Sequence, residues 1–147
     1  MKRLTEPWFW SGRTIIADSW FGSPEMVDNL FNNGLFAIMQ VAKRKYWPRG
    51  MPKTDIIECL GPERGDHFTM TKLNDSGCLI LVCVYRDLKP KALVSTCSTS
   101  VQSNKYRYYL DRSGNQKQIR RPQVFEDYVF HKSKFSIELY VTDLLTN

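Results

Sequence analysis

The hydrophobic pattern opens with a short β-branched run, Thr14-Ile15-Ile16-Ala17, of the length and composition of a buried strand. A helix start follows. Ser23 offers a hydroxyl at the N-cap, Pro24 suits the first helical position and Glu25 places an acid in the first turn. Met26, Val27, Leu30 and Phe31 then share one helical face, and Gly34 stands where helices commonly close. Residues 35–42 form a continuous apolar stretch of strand length. The sequence therefore predicts one βαβ unit with parallel, buried strands. In such a unit the crossover is almost always right-handed.

Farther along, the runs shorten, and residues 66–73 alternate, with Phe68 and Met70 on one face and Thr69 and Thr71 on the other. Residues 66–73, 78–85 and 91–95 read as three strands separated by polar turns at 74–77 and 86–90, a β-meander. Thr54-Asp55 can cap a short helix over 56–60, which Gly61-Pro62 ends. Residues 98–121 are rich in Ser, Asn, Gln, Lys and Arg and contain one acid, Asp111. They predict a flexible basic linker or hairpin that lies against a backbone phosphate, with Tyr106, Tyr108 and Tyr109 forming a brief extended piece within it. Residues 123–128 read as a short helix or turn, and 136–145 as a closing helix. Residues 2–11 read as an approach segment, with Trp8, Phe9 and Trp10 as packing residues.

Composition narrows the class. A chain of 147 residues suffices for one domain, and a hydrophobic content of 42% separates it from disordered sequences. The longest apolar run, near residues 79–84, is far shorter than a membrane span, and no apolar segment follows the basic Met1-Lys2-Arg3, so neither a membrane anchor nor a signal peptide is expected. The net charge of +6 favours a polyanionic partner. Five basic residues, Lys43, Arg44, Lys45, Arg49 and Lys53, gather between 43 and 53 without an acid. This is a solvated loop or a phosphate-contacting one, with Tyr46 and Trp47 available for stacking. Cys59, Cys78, Cys83 and Cys97 form no Cys-x-x-Cys pair, and His67 and His131 complete no zinc spacing. The cysteines read as reduced structural residues of an intracellular protein.

Asp18 follows the first strand, where open α/β sheets place their chemistry. By itself it reads first as a capping or turn carboxylate. The strings Arg-Leu-Thr-Glu-Pro-Trp-Phe (residues 3–9) and Ser-Gly-Arg-Thr-Ile-Ile-Ala-Asp-Ser-Trp-Phe-Gly-Ser-Pro (residues 11–24) resemble the piggyBac family of transposases. Weaker likeness continues through Met51-Pro52-Lys53, through Leu93-Val94-Ser95-Thr96 and on to Tyr128. The resemblance implies an RNase H-like α/β domain with a mixed sheet and flanking helices. It also implies a two-metal DNA transposase whose Mg²⁺ or Mn²⁺ ions are held by three acids. Asp18 takes the position of the second acid. The strand that carries the first is expected upstream and finds no counterpart among residues 1–11. The third belongs to a motif Tyr-Asn-x-x-x-Gly-Gly-Val-Asp. Counting on from Tyr128, its glycines are replaced by Ser133 and Lys134 and its Asp by Ser136. If 136–145 is helical, Glu138 lies about 200° around the axis from Ser136 and does not replace the missing acid.

The resemblance thus implies an incomplete transposase domain over residues 1–147: a nuclear, transposable element-derived remnant. Such a remnant would be inactive alone, hold no metal of its own, have Asp18 as a vestigial ligand, and bind DNA weakly and without sequence preference. Two other readings stand beside it. One is a domesticated, non-enzymatic module that binds DNA or a protein. The other is part of an active metal-dependent transposase or nuclease whose first strand is encoded upstream.

Overall fold

The structure is a computed structural model that describes residues 1–41, 59–133 and 139–142. The basic residues Lys43, Arg44, Lys45, Arg49 and Lys53, most of the helix expected at 56–60, and Ser136 and Glu138 lie outside the described residues. A short helix α1 (Lys2–Thr5) and a 3-10 turn (Glu6–Trp8) come first. They are followed by β1 (Thr14–Ala17), α2 (Pro24–Phe31), β2 (Phe36–Gln40), β3 (His67–Leu73), β4 (Leu79–Arg86), β5 (Pro90–Ser95), β6 (Gln102–Leu110), β7 (Gln116–Pro122), α3 (Gln123–Ser133) and β8 (Leu139–Thr142).

Six strands form one mixed sheet in the order β3-β4-β5-β2-β1-β8, while β6 and β7 pair only with each other. β1 and β2 are parallel, with Ala17 opposite Met39, and the remaining pairs are antiparallel. The expected βαβ unit and meander are therefore present, and the last meander strand, β5, docks on β2 with Val94 opposite Met39. Both faces of the sheet are covered. Ile15, Ala17, Ala37 and Met39 pack with Val27 and Leu30 of α2, whereas Ile16, Ile38, Leu93 and Tyr85 pack with Val124, Phe125 and Tyr128 of α3. Burial on two faces is why β1 and β2 read as unbroken apolar runs and not as alternating ones.

The closure of α2 ties the amino-terminal segment to the sheet. Leu35 N–H donates to the Leu30 carbonyl and Gly34 N–H to that of Phe31, the bond pair of a Schellman turn. Gly34 has φ of +71°, and a Cβ there would stand 2.6 Å from the Trp10 Cα. Trp10 N–H in turn donates to the Asn33 carbonyl, and Gly12 N–H to that of Gly34.

Three expectations need correction. Residues 139–142 are a strand and not part of a helix: β8 runs antiparallel to β1 and completes its second edge. An interior strand offers hydrogen bonds that a helix cannot take, and Tyr140 and Val141 have the β propensity to accept them. Trp10 is 75% exposed and so is not a packing residue, whereas Phe9 does pack against the core. Residues 2–8 form helical turns of their own and not a bare approach segment. No helix among the described residues is long and apolar enough to cross a membrane.

Candidate functional site

Asp18 lies directly beyond the carboxyl end of β1, and Gln40 ends β2 on the adjacent rung. The chain must turn sharply here to enter α2. Asp18 Oδ1 accepts the Trp20 N–H at 2.9 Å, and its carbonyl accepts the N–H groups of Phe21 and Gly22. Gly22 then passes so close to β2 that a Cβ would fall on the Gln40 carbonyl oxygen. Ser23 caps α2 as expected, its Oγ accepting the Met26 N–H at 3.0 Å. Asp18 thus serves as the turn carboxylate in this structure. One oxygen is committed to the backbone, while the side chain remains half-buried at the sheet's edge.

A two-metal centre needs several carboxylates converging from separate elements, because each hard cation exchanges water for anionic oxygen. Among the described residues no three His, Cys, Asp or Glu side chains group in this way. The described residues therefore do not fit such a centre. Glu138 is covalently joined to Leu139, the residue that pairs with Ala17. The helical geometry that set Glu138 aside is thus not the geometry of the segment that follows it.

The cysteines form no disulfide. Burial pushes the thiols of Cys78 and Cys83 up to about 11, so both stay protonated and behave as small apolar side chains.

Of the two basic stretches read from the sequence, the described one is residues 98–121, and it is a hairpin. β6 and β7 meet at an Asp111–Asn115 turn, in which Asp111 Oδ1 accepts the Ser113 and Asn115 N–H groups and Gly114 adopts φ of +79°. Lys105, Arg107, Arg112 and Lys117 are exposed on it, as are Tyr106 and Tyr108. Tyr106 pairs with Arg120 across the ribbon, and the Arg120 guanidinium sits 5.3 Å from the ring centroid. On the side facing the body, Arg64 stacks on Tyr109 at 4.4 Å and Arg107 reaches Glu126 at 3.4 Å. The structure therefore holds the ribbon against the sheet through cation–aromatic and ionic contacts. The sequence carried the signal in the alternation of Lys105-Tyr106-Arg107-Tyr108 and the Asp-x-Ser-Gly turn. The role of Arg64, some forty residues earlier, had no local sign.

The family model described as Transposase IS4, a family of DDE-type transposases, matches residues 1–138. No curated protein matches the chain. No solved structure matches it either.

Proposed function

We propose that this chain, which belongs to the Transposase IS4 family, is a piggyBac-type, transposable element-derived protein. In this reading its RNase H-like core binds DNA without sequence preference and performs no strand cleavage by itself. The observation that carries the reading is the state of Asp18. It stands at the strand end expected of a family acid, yet its Oδ1 is taken by Trp20 N–H, and among the described residues it belongs to no group of three or more acids, histidines or cysteines. Ser136, at the position of the family's third acid, offers a neutral hydroxyl where a divalent cation requires charge.

The DNA-binding half of the proposal draws on the β6–β7 ribbon. A B-DNA major groove about 12 Å wide admits a two-stranded ribbon. The cations on this one fit the phosphates that flank the groove. Lys43, Arg44, Lys45, Arg49 and Lys53 are proposed as further phosphate contacts. A nuclear location is proposed with it, on the piggyBac resemblance alone.

The test is a pair of assays on the full chain. Duplex DNA of unrelated sequences is expected to bind with similar affinity that falls steeply with salt. The same DNA, incubated with Mg²⁺ or Mn²⁺, is expected to remain uncut. Cleavage that disappears in both Asp18→Asn and Glu138→Gln would overturn the inactive reading and establish those two acids as ligands. Salt-independent or undetectable DNA binding would remove the other half.

A further inference from the structure

Between the end of β2, the strands β4 and β5, and the sheet-facing side of α3 lies a cavity of about 160 Å³. Leu93 and Phe125 give it apolar walls. Its polar lining includes Gln40, Tyr85, Lys91, Arg121 and Lys132. Two of these groups are unusual. Tyr85 is 1% exposed and Arg121 8% exposed, yet the Tyr85 hydroxyl and the Arg121 Nη2 have no hydrogen-bond partner among the described residues. Buried donors are almost always satisfied, and an orphaned one costs its full desolvation. A guanidinium nitrogen is a donor only, so whatever completes Arg121 must supply an acceptor, as an oxyanion does.

Charge in and behind the cavity points the same way. The Arg121 Nε is held by Glu126 Oε1 at 2.8 Å, and Arg107 shares that oxygen. Asp87, also in the lining, is engaged by Arg64 at 2.8 Å and Lys91 at 3.5 Å. Lys132 stands over the Tyr128 ring. Among the described residues, five cations thus face two carboxylates, and each carboxylate is already shared by two of the cations. Burial raises the Tyr85 phenol, Asp87 raises it further, and the neighbouring arginines only partly offset this, so the hydroxyl keeps its proton as a donor.

We propose that this cavity is an oxyanion site that takes a phosphate group, with Arg121 Nη2 and the Tyr85 hydroxyl as donors and Lys91 and Lys132 as the charged rim. The site stands on geometry separate from Asp18 and from the exposed face of the ribbon, so it does not depend on the DNA-binding reading. Phosphate could reach it as a free or terminal group, or as a diester along a nucleic-acid strand.

Thermal unfolding of the full chain is the first measurement. Inorganic phosphate is expected to raise the melting temperature in a saturable way that potassium chloride of equal ionic strength does not reproduce. Tyr85→Phe removes one donor and no volume of consequence, and is expected to weaken phosphate binding roughly three- to tenfold. Arg121→Gln is expected to abolish the response, and Lys132→Ala to reduce it. Because Arg121→Gln also disturbs Glu126, the deciding variants are Tyr85→Phe and Lys132→Ala, which leave that pair intact. Thymidine 5′-monophosphate and an oligothymidylate without terminal phosphates separate the two sources. If Tyr85→Phe weakens only the monoester and inorganic phosphate, the group bound is terminal or free. If it weakens the oligonucleotide as well, the group is a backbone diester. A phosphate response equal to that of chloride, or one undiminished in both Tyr85→Phe and Lys132→Ala, overturns the proposal.

Discussion

At the scale of single residues, the tightest constraint is Gly22. The turn that carries Asp18 must bring the chain onto the end of β2, and no side chain fits between Gly22 and the Gln40 carbonyl. Gly22→Ala forces backbone apart from backbone, and is expected to destabilise the chain by about 1–3 kcal/mol in urea unfolding, the range of an overpacked core. The Glu126–Arg121 pair is the second such constraint, with side chains only 5% and 9% exposed. Burial by itself raises the Glu126 carboxyl, but the hydrogen bonds and charges of Arg121 and Arg107 outweigh it and leave the group below its ordinary value of 4.5. A carboxylate lowered in the folded state adds stability that is fully present above its unfolded value and is lost as pH falls through the lowered one. Stability should therefore decline below pH 4.5, and Glu126→Gln should flatten that decline. At neutral pH Glu126→Gln leaves the buried Arg121 charge uncompensated, at a cost of about 3–5 kcal/mol. Denaturant titrations of both proteins at several pH values check the two effects together.

At the scale of elements, α2 is defined at both ends by local chemistry, Ser23 at its start and Gly34 at its close. Ser23→Ala is expected to cost about 1 kcal/mol, read from the denaturation midpoint. The β6–β7 ribbon depends much less on local signals. It pairs with no strand of the main sheet, and cation–aromatic stacking and the Arg107–Glu126 contact hold it in place. Its outer residues are thus free to be changed without disturbing the core. Replacing Arg112 and Lys117 together by Ala is expected to weaken DNA binding for all sequences alike. It should also reduce the slope of log affinity against log salt by about 0.9 for each phosphate no longer neutralised. An unchanged slope in a filter-binding or anisotropy titration would take the ribbon out of the DNA interface.

At the scale of the whole molecule, β8 is the element on which the sheet's integrity turns. It is four residues long, yet it covers the second edge of β1, the strand whose four residues are all buried. Without it, β1 would present unpaired N–H and C=O groups beside an apolar surface, a template for pairing with another chain. A protein ending at Ser133 is expected to associate or aggregate where the full chain does not, as size-exclusion chromatography would show. Return of that shortened chain to the behaviour of the full protein on adding a peptide of residues 134–147 would establish strand pairing as the cause.

The sequence alone determined the elements whose signals are local. β1, α2 and β2 stand where a β-branched run, a Ser-Pro-Glu start and a second apolar run placed them, and the meander strands fall between their polar turns. The position of Asp18 at a strand tip followed from the same signals. Only the tertiary structure decided what depended on distant partners. Residues 139–142 resemble a helix as much as a strand until β1 offers them an edge, because a short apolar run has no period long enough to choose. Trp10 looked like a core residue, but the core needed the backbone of its segment, bonded to Asn33, more than its ring. The cavity at Arg121 and Tyr85 draws its donors from residues thirty-six positions apart, and no local pattern announces that two such groups are buried together without partners.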